Sequence, residues 1–164
     1  MMYNSINNFE YRGVKFQIVK EGNIILYKTT FPVIYQGQKA EYSIYLRNDP
    51  RELEKKVPII GEFNIKKIMV INATEDFNCD GFGVIAMANF AKQSLFGIEI
   101  IKDPEATCDM NNTLYTYINL QSGNETNIEQ VGPSCYNINI NNCEILEATE
   151  RFMTESFVEI NKLL

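Results

Sequence analysis

The stretch that decides the fold class is residues 65–102, IKKIMVINATEDFNCDGFGVIAMANFAKQSLFGIEIIK. A short, nearly continuous apolar run over 65–71 is typical of a strand covered on both faces. Apolar residues recur at helical spacing over 82–96, and strand character returns over 98–102 after a natural helix stop at Gly97. We therefore predict a strand–helix–strand unit that joins two parallel strands by a right-handed crossover.

The chain after this unit predicts a hairpin, a last strand and a long helix. Residues 114–120 and 126–131 flank a polar turn centred on Gly123, so we expect them to pair. A further strand follows at 136–140, and residues 143–163 carry the pattern of an amphipathic helix. The carboxy-terminal half is thus predicted to be an α/β layer with two helices and a mixed sheet.

The chain before this unit is rich in predicted strands. Residues 14–19, 24–31 and 40–47 have strand character and are separated by short glycine turns. The simplest arrangement is a three-stranded antiparallel meander. The charged stretch 51–56 is predicted to be a linker or an exposed loop.

The fold class predicted from these halves is α+β, with an amino-terminal antiparallel β-meander packed on the carboxy-terminal α/β layer. We assign residues 1–8 to a disordered arm, 9–60 to a β-rich subdomain and 61–164 to an α/β subdomain. Three strands alone would expose much apolar surface, so we expect the two subdomains to share one core. A length of 164 residues suits such a single unit.

Composition excludes several classes of function. The net charge of −6 disfavours a nucleic acid or an anionic membrane surface as the main partner. The chain has no histidine, which excludes mechanisms and metal sites built on imidazole. No segment approaches the ~20 consecutive apolar residues that a membrane helix needs. We predict no nucleic-acid partner and no membrane span in this chain.

The four cysteines are the most informative residues, and no two of them form a C-x-x-C pair. Their spacing disfavours zinc and iron–sulfur sites, while an even count permits two disulfides in three connectivities. The predicted hairpin brings Cys135 close to Cys108, and Cys79 and Cys143 both lie in strand-to-helix connections. We predict disulfides Cys79–Cys143 and Cys108–Cys135. The alternative is free buried thiols in a cytosolic protein.

Three N-glycosylation sequons occur, with Asn72, Asn111 and Asn124 as the candidate acceptors. A chain with 19 asparagines contains about this many by chance, so the number of sequons indicates nothing by itself. Asn124 is the best placed, because it lies at the tip of the predicted hairpin.

Residues 76–81, DFNCDG, match the first six positions of a calcium-binding loop, with Asp76, Asn78 and Asp80 as candidate ligands. The match fails at the twelfth position, where Met87 replaces the required glutamate. The favoured interpretation is therefore a strand-to-helix turn in which Asp80 caps the helix, with no bound metal.

The sequence offers no catalytic site. It contains no phosphate-binding loop, and the dinucleotide pattern begun by Gly81-Phe82-Gly83 has Ala86 at its third glycine position. We predict a non-enzymatic protein without a cofactor.

Three stretches carry a resemblance to known proteins: 9–13 (FEYRG), 45–51 (YLRNDPR) and 143–152 (CEILEATERF). Over most of residues 9–160 the chain resembles a group of secreted or membrane-anchored extracytoplasmic proteins of small archaea that has no assigned reaction. The resemblance implies a disulfide-bonded protein outside the cytoplasm whose leader is absent from this chain. It implies no catalytic residue.

These observations predict an extracytoplasmic, non-enzymatic binding or cell-envelope structural module, a glycoprotein if its sequons are used. Its partner would be a protein, a glycan or a second copy of the chain. The alternative is a cytosolic small-ligand-binding protein or enzyme with reduced cysteines.

Overall fold

The computed structural model describes residues 7–111 and 114–163. Its first sheet is antiparallel and has four strands in the order β1-β2-β3-β4. The strands are β1 Asn8–Tyr11, β2 Val14–Glu21, β3 Ile24–Tyr35 and β4 Gln38–Leu46. Residues 1–6 of the predicted arm lie outside the described residues. Asn8 does not belong to an arm, because it begins β1 and pairs with Gln17 of β2.

The second sheet is mixed and has six strands in the order β5-β9-β10-β8-β6-β7. The strands are β5 Ile59–Ile60, β6 Ile68–Ala73, β7 Glu99–Lys102, β8 Thr116–Ser122, β9 Asn127–Gly132 and β10 Cys135–Ile140. Strands β10, β8, β6 and β7 run parallel to one another, and β9 runs antiparallel to β10. The predicted α+β class, with one antiparallel and one mixed sheet, is confirmed.

The hairpin predicted from 114–120 and 126–131 is wrong. Strand β8 pairs with β6 and β10, and the antiparallel partner of β9 is β10. The N–H of Gly123 donates to the carbonyl of Ile140 at 3.0 Å, and a Cβ at this glycine would approach the Cβ of Asn139 to 2.9 Å. The chain therefore crosses the end of β10 before it begins β9, instead of folding back on β8.

Three helices are present among the described residues: α1 Pro50–Lys56, α2 Phe82–Ala91 and α3 Ile145–Leu163. A 3-10 turn over Lys92–Phe96 continues α2. Helix α1 contradicts the predicted linker or loop at 51–56. Asp49 caps it by accepting a hydrogen bond from the backbone N–H of Arg51 at 2.9 Å, and Pro50 occupies its first turn.

Helix α3 lies between the two sheets. The ring of Phe152 packs against Tyr136 of β10, with centroids 5.7 Å apart, and the ring of Phe157 packs against Phe31 of β3 at 5.2 Å. Every residue from 148 to 158 is buried. The amphipathic helix predicted from the sequence therefore buries its polar side as well as its apolar stripe.

One cluster of buried apolar side chains joins both sheets. It contains Phe16 and Leu46 from the first sheet and Ile118 and Ile138 from the second. This shared core holds the two sheets and α3 together. Among the helices of the described chain, none has the length and apolar character needed to cross a membrane.

Candidate functional site

Two disulfides join the four cysteines. Cys79 and Cys143 have Cα atoms 5.5 Å apart and connect the turn before α2 to the turn before α3. Both residues have left-handed backbones, with φ of 47° and 56°. Both cysteines lie in strand-to-helix connections, as the sequence predicts, and the predicted pairing is confirmed.

The second disulfide, Cys108–Cys135, has a Cα–Cα distance of 5.8 Å. This pairing confirms the predicted one. The predicted hairpin does not bring the two cysteines together, because β8 and β9 do not pair with each other. Cys108 belongs to the segment between β7 and β8, residues 103–111 and 114–115, which we call the crossover loop.

The crossover loop lies on the face of the second sheet that points away from the helices. At its start, the carbonyl of Pro104 accepts a hydrogen bond from the Asn72 side chain at 3.4 Å. Below it, Val70 is only 7% exposed. Near the disulfide, a Cβ at Gly132 would lie 2.6 Å from the sulfur of Cys108. A glycine at this position thus allows the loop to approach the sheet closely.

The rest of this face, which we call the open face, carries a chain of amides. Asn119 donates to Gln121 at 3.0 Å, Gln121 donates to Asn139 at 2.8 Å, and Asn139 donates to Asn127 at 2.7 Å. These four residues, the amide ladder, span β8, β10 and β9. Because each amide has two donors and an acceptor with two lone pairs, the ladder retains capacity for a partner with hydroxyl or amide groups.

The open face is unusual because it is a partly exposed face of a sheet whose strands are mostly parallel. Sheets of parallel strands are normally covered on both faces. Here α2 and α3 lie on one face, and on the other face the four residues of the amide ladder keep part of their surface exposed beside the described part of the crossover loop. Asn137 of β10 lies beside the amide ladder and is half-buried. We take the open face as the candidate binding surface.

The candidate calcium ligands are not assembled into a site. Asp76 and Asp80 are exposed, and the carbonyl of Asn78 accepts the N–H groups of Gly81 and Gly83 at 3.0 Å each. Gly81 is the N-cap of α2, so the predicted capping by Asp80 is wrong. Within 7–111 and 114–163, no three acidic or cysteine residues form a group that could hold a metal ion.

Gly83, in the first turn of α2, has a structural role. A Cβ at Gly83 would lie 1.8 Å from the carbonyl oxygen of Phe77. This glycine is therefore required for the turn to pack against the helix, which explains the pattern without a bound dinucleotide.

The three sequons lie in different environments. Asn124 is exposed between β8 and β9, although its sequon partner Thr126 is buried and donates a hydrogen bond to Glu144 at 2.9 Å. Asn72 lies in β6 under the crossover loop. Asn111 is exposed, and residues 112 and 113 of its sequon lie outside the described residues. All three acceptors stay predictions.

The three stretches that carry the resemblance meet around α3. Glu150, in the third stretch, accepts hydrogen bonds from the backbone N–H groups of Arg47 and Asn48 at 2.7 and 2.9 Å. The side chain of Asn48 adds a third bond at 2.8 Å. Burial raises the pKa of the Glu150 carboxyl to about 7, because these three bonds only partly offset its desolvation. This contact anchors the end of β4 on the helix.

The next residue, Arg151, forms a buried ion pair with Glu155 at 2.6 Å. Its Nε also donates to the carbonyl of Val57 at 2.9 Å. Arg12, from the first stretch, contacts the same Glu155 oxygen at 2.5 Å. The Tyr11 hydroxyl lies 3.4 Å from Glu155, and burial raises the pKa of this tyrosine. These contacts hold the β1–β2 turn and the end of α1 on α3.

The Glu150 carboxyl predicts a pH dependence of stability. Between its ordinary pKa of 4.5 and the folded value of about 7, the folded state holds a proton that the unfolded state has released. The free energy of unfolding therefore falls as pH rises through this window, by at most about 3 kcal/mol. The free energy of unfolding of the parent and of Glu150→Gln is measured from pH 4.5 to 8. The difference between the two at each pH isolates the contribution of this carboxyl. A difference that does not change with pH would contradict the prediction.

Comparison with known proteins returned no match to a family model, to a curated protein or to a solved structure. The function must therefore be inferred from the residues of this chain.

Proposed function

We propose that the chain is a disulfide-stabilised, non-enzymatic binding module of an extracytoplasmic compartment, and that its partner binds the open face. The observation that carries this proposal is the position of the crossover loop. The described part of the loop is joined to the sheet by Cys108–Cys135, and the amide ladder of this largely parallel sheet keeps part of its surface exposed beside it.

The compartment is supported by the cysteines. All four form disulfides, and such bonds persist in oxidising environments and are rare in the cytosol. The resemblance to secreted or membrane-anchored proteins points in the same direction. A cytosolic enzyme or small-ligand protein with reduced thiols remains the alternative.

The non-enzymatic interpretation is supported by the structural contacts that the buried carboxylates make. The chain has no histidine, and two buried carboxylates, Glu150 and Glu155, are engaged in contacts that hold β4 and the β1–β2 turn on α3. The open face instead offers the amide groups of the ladder, beside the carboxylate of Glu129, which lies opposite Asn137. A protein surface, a glycan or a second copy of the chain could use them.

The test is capture of the partner from native membranes with matched variants. Asn137→Arg places a charge on the open face, whereas Gln17→Arg places the same charge on the exposed side of β2. We expect Asn137→Arg to weaken binding about tenfold, which corresponds to ~1.4 kcal/mol, because the longer side chain beside Glu129 obstructs the surface that the partner contacts. Gln17→Arg should bind as the parent does.

Equal binding by the two variants would contradict the assignment of the open face. Sedimentation of the parent and of both variants shows separately whether the partner is a second copy. In that case Asn137→Arg alone should dissociate the dimer.

A further inference from the structure

A cleft of about 780 Å³ lies at the opposite end of the molecule from the Cys79–Cys143 disulfide, beside the last turns of α3. We call it the lysine cleft. Its floor is apolar and consists of Phe63, Ile65, Phe96, Ile98 and Ile160. Three lysines, Lys66, Lys67 and Lys162, line it together with Glu159. The volume is within the range of small-molecule sites, about 300–1,000 Å³.

One wall of the cleft, residues 61–67, is held in place by hydroxyl groups at the ends of β8 and β10. Tyr136 donates to the carbonyl of Glu62 at 2.9 Å and accepts the N–H of Asn64 at 2.5 Å. Thr116 accepts the N–H of Lys66 at 2.7 Å. The wall is therefore fixed before any ligand arrives.

The aromatic floor is fixed as well. The ring of Phe63 packs edge-on against Phe152, with centroids 4.9 Å apart. The ring of Phe96 packs on Phe31 at 4.6 Å. Because these partners belong to the shared core, the cleft is a preformed apolar site.

The charge on the cleft is opposite to that of the whole chain. Three ammonium groups and one carboxylate give it a net charge of +2, on a protein of net charge −6. Glu159 is paired with Lys162 at 3.1 Å. Within the described part of the chain, Lys66 and Lys67 have no ion-pair partner. The negative end of the α3 dipole accounts for the position of Lys162 in the last turn of the helix. It does not account for Lys66 and Lys67, which belong to the segment before β6.

We propose that the lysine cleft binds an amphiphile with a single apolar chain and an anionic head group. The apolar chain lies on the floor of Phe63, Phe96 and Ile160, and the head group pairs with Lys66 and Lys67. This site is separate from the open face, so it does not depend on the proposed function.

The test is a calorimetric titration of the intact protein with decyl sulfate, below the critical micelle concentration, which measures the binding affinity. Circular dichroism verifies that the protein stays folded. Decyl maltoside has the same chain with a neutral head, and methyl sulfate has the head alone. We expect decyl sulfate to bind at least about tenfold more tightly than either. The double variant Lys66→Ala/Lys67→Ala should lose this advantage.

A control with the same loss of charge is Lys20→Ala/Lys39→Ala, both exposed in the first sheet. This control should bind decyl sulfate as the parent does. Equal affinity for decyl sulfate and decyl maltoside, or equal loss in both double variants, would overturn the proposal. So would a dimer that only the Lys66→Ala/Lys67→Ala variant dissociates, because a second copy would then occupy the cleft.

Discussion

Replacing Arg151 by Met is expected to lower the free energy of unfolding by about 3–5 kcal/mol. The substitution removes the cation that faces Glu155 at 2.6 Å in a site where the side chains of Arg151 and Glu155 are 6% and 5% exposed. It also removes the hydrogen bond to the carbonyl of Val57. Arg12 can still pair with Glu155, but its side chain is 45% exposed and compensates only in part. Chemical denaturation of the variant measures the loss.

A double-mutant cycle separates the ion pair from simple loss of packing. Arg151→Met combined with Glu155→Leu leaves no carboxylate at this position, so the double variant should be more stable than the sum of the single variants predicts, by at least ~1 kcal/mol. Lys162→Met is the control, because it removes an exposed partner of Glu159 on the same helix and should change stability by less than ~1 kcal/mol. If the stability losses of the two single substitutions simply add in the double variant, the coupling between Arg151 and Glu155 is contradicted.

Replacing Cys79 and Cys143 together by Ser is expected to lower the melting temperature by roughly 8–16 °C. The disulfide closes a loop of 64 positions, for which the chain-entropy model gives about 4 kcal/mol. At this chain length, each kcal/mol corresponds to about 2–4 °C. The bond also joins the starts of the two long helices that cover the second sheet, so its loss loosens the core directly. Calorimetry under non-reducing conditions measures the shift.

The matched comparison replaces Cys108 and Cys135 by Ser. That disulfide closes a loop of 27 positions, which the same model values at about 3–4 kcal/mol. The crossover loop gains freedom in the folded state when it is released, and this gain offsets part of the loss. We expect a smaller fall in melting temperature than for the other pair. A larger fall would contradict the assigned roles of the two bonds.

The sequence predicted well what local patterns determine. The apolar run and the helical spacing over 65–102 indicated two strands and a helix, and β6, α2 and β7 occupy these places with β6 and β7 parallel. The order of strands beyond this unit depends on contacts between distant residues. A polar turn at Gly123 is compatible with a hairpin and also with a crossing over β10, and only the packing of β10 decides between them.

Short and buried polar features were harder to predict. Helix α1 has seven residues, too few to display a helical period, and its only signals were Asp49 and Pro50, which also occur in turns. The buried positions of Glu150 and Arg151 could not be recognised either, because the sequence does not indicate that a second sheet covers the polar side of α3. The alternation of Asn and Ile in β10 predicted a strand, but not which face remains uncovered.

The proposed function depends most on the state of the cysteines where the protein acts. Cells of the native source are quenched with acid, and their thiols are labelled with a mass tag before and after reduction, followed by mass spectrometry of the protein. We predict that none of the four cysteines is labelled before reduction and that all four are labelled after it. Labelling of all four before reduction would contradict the proposal and favour the cytosolic alternative.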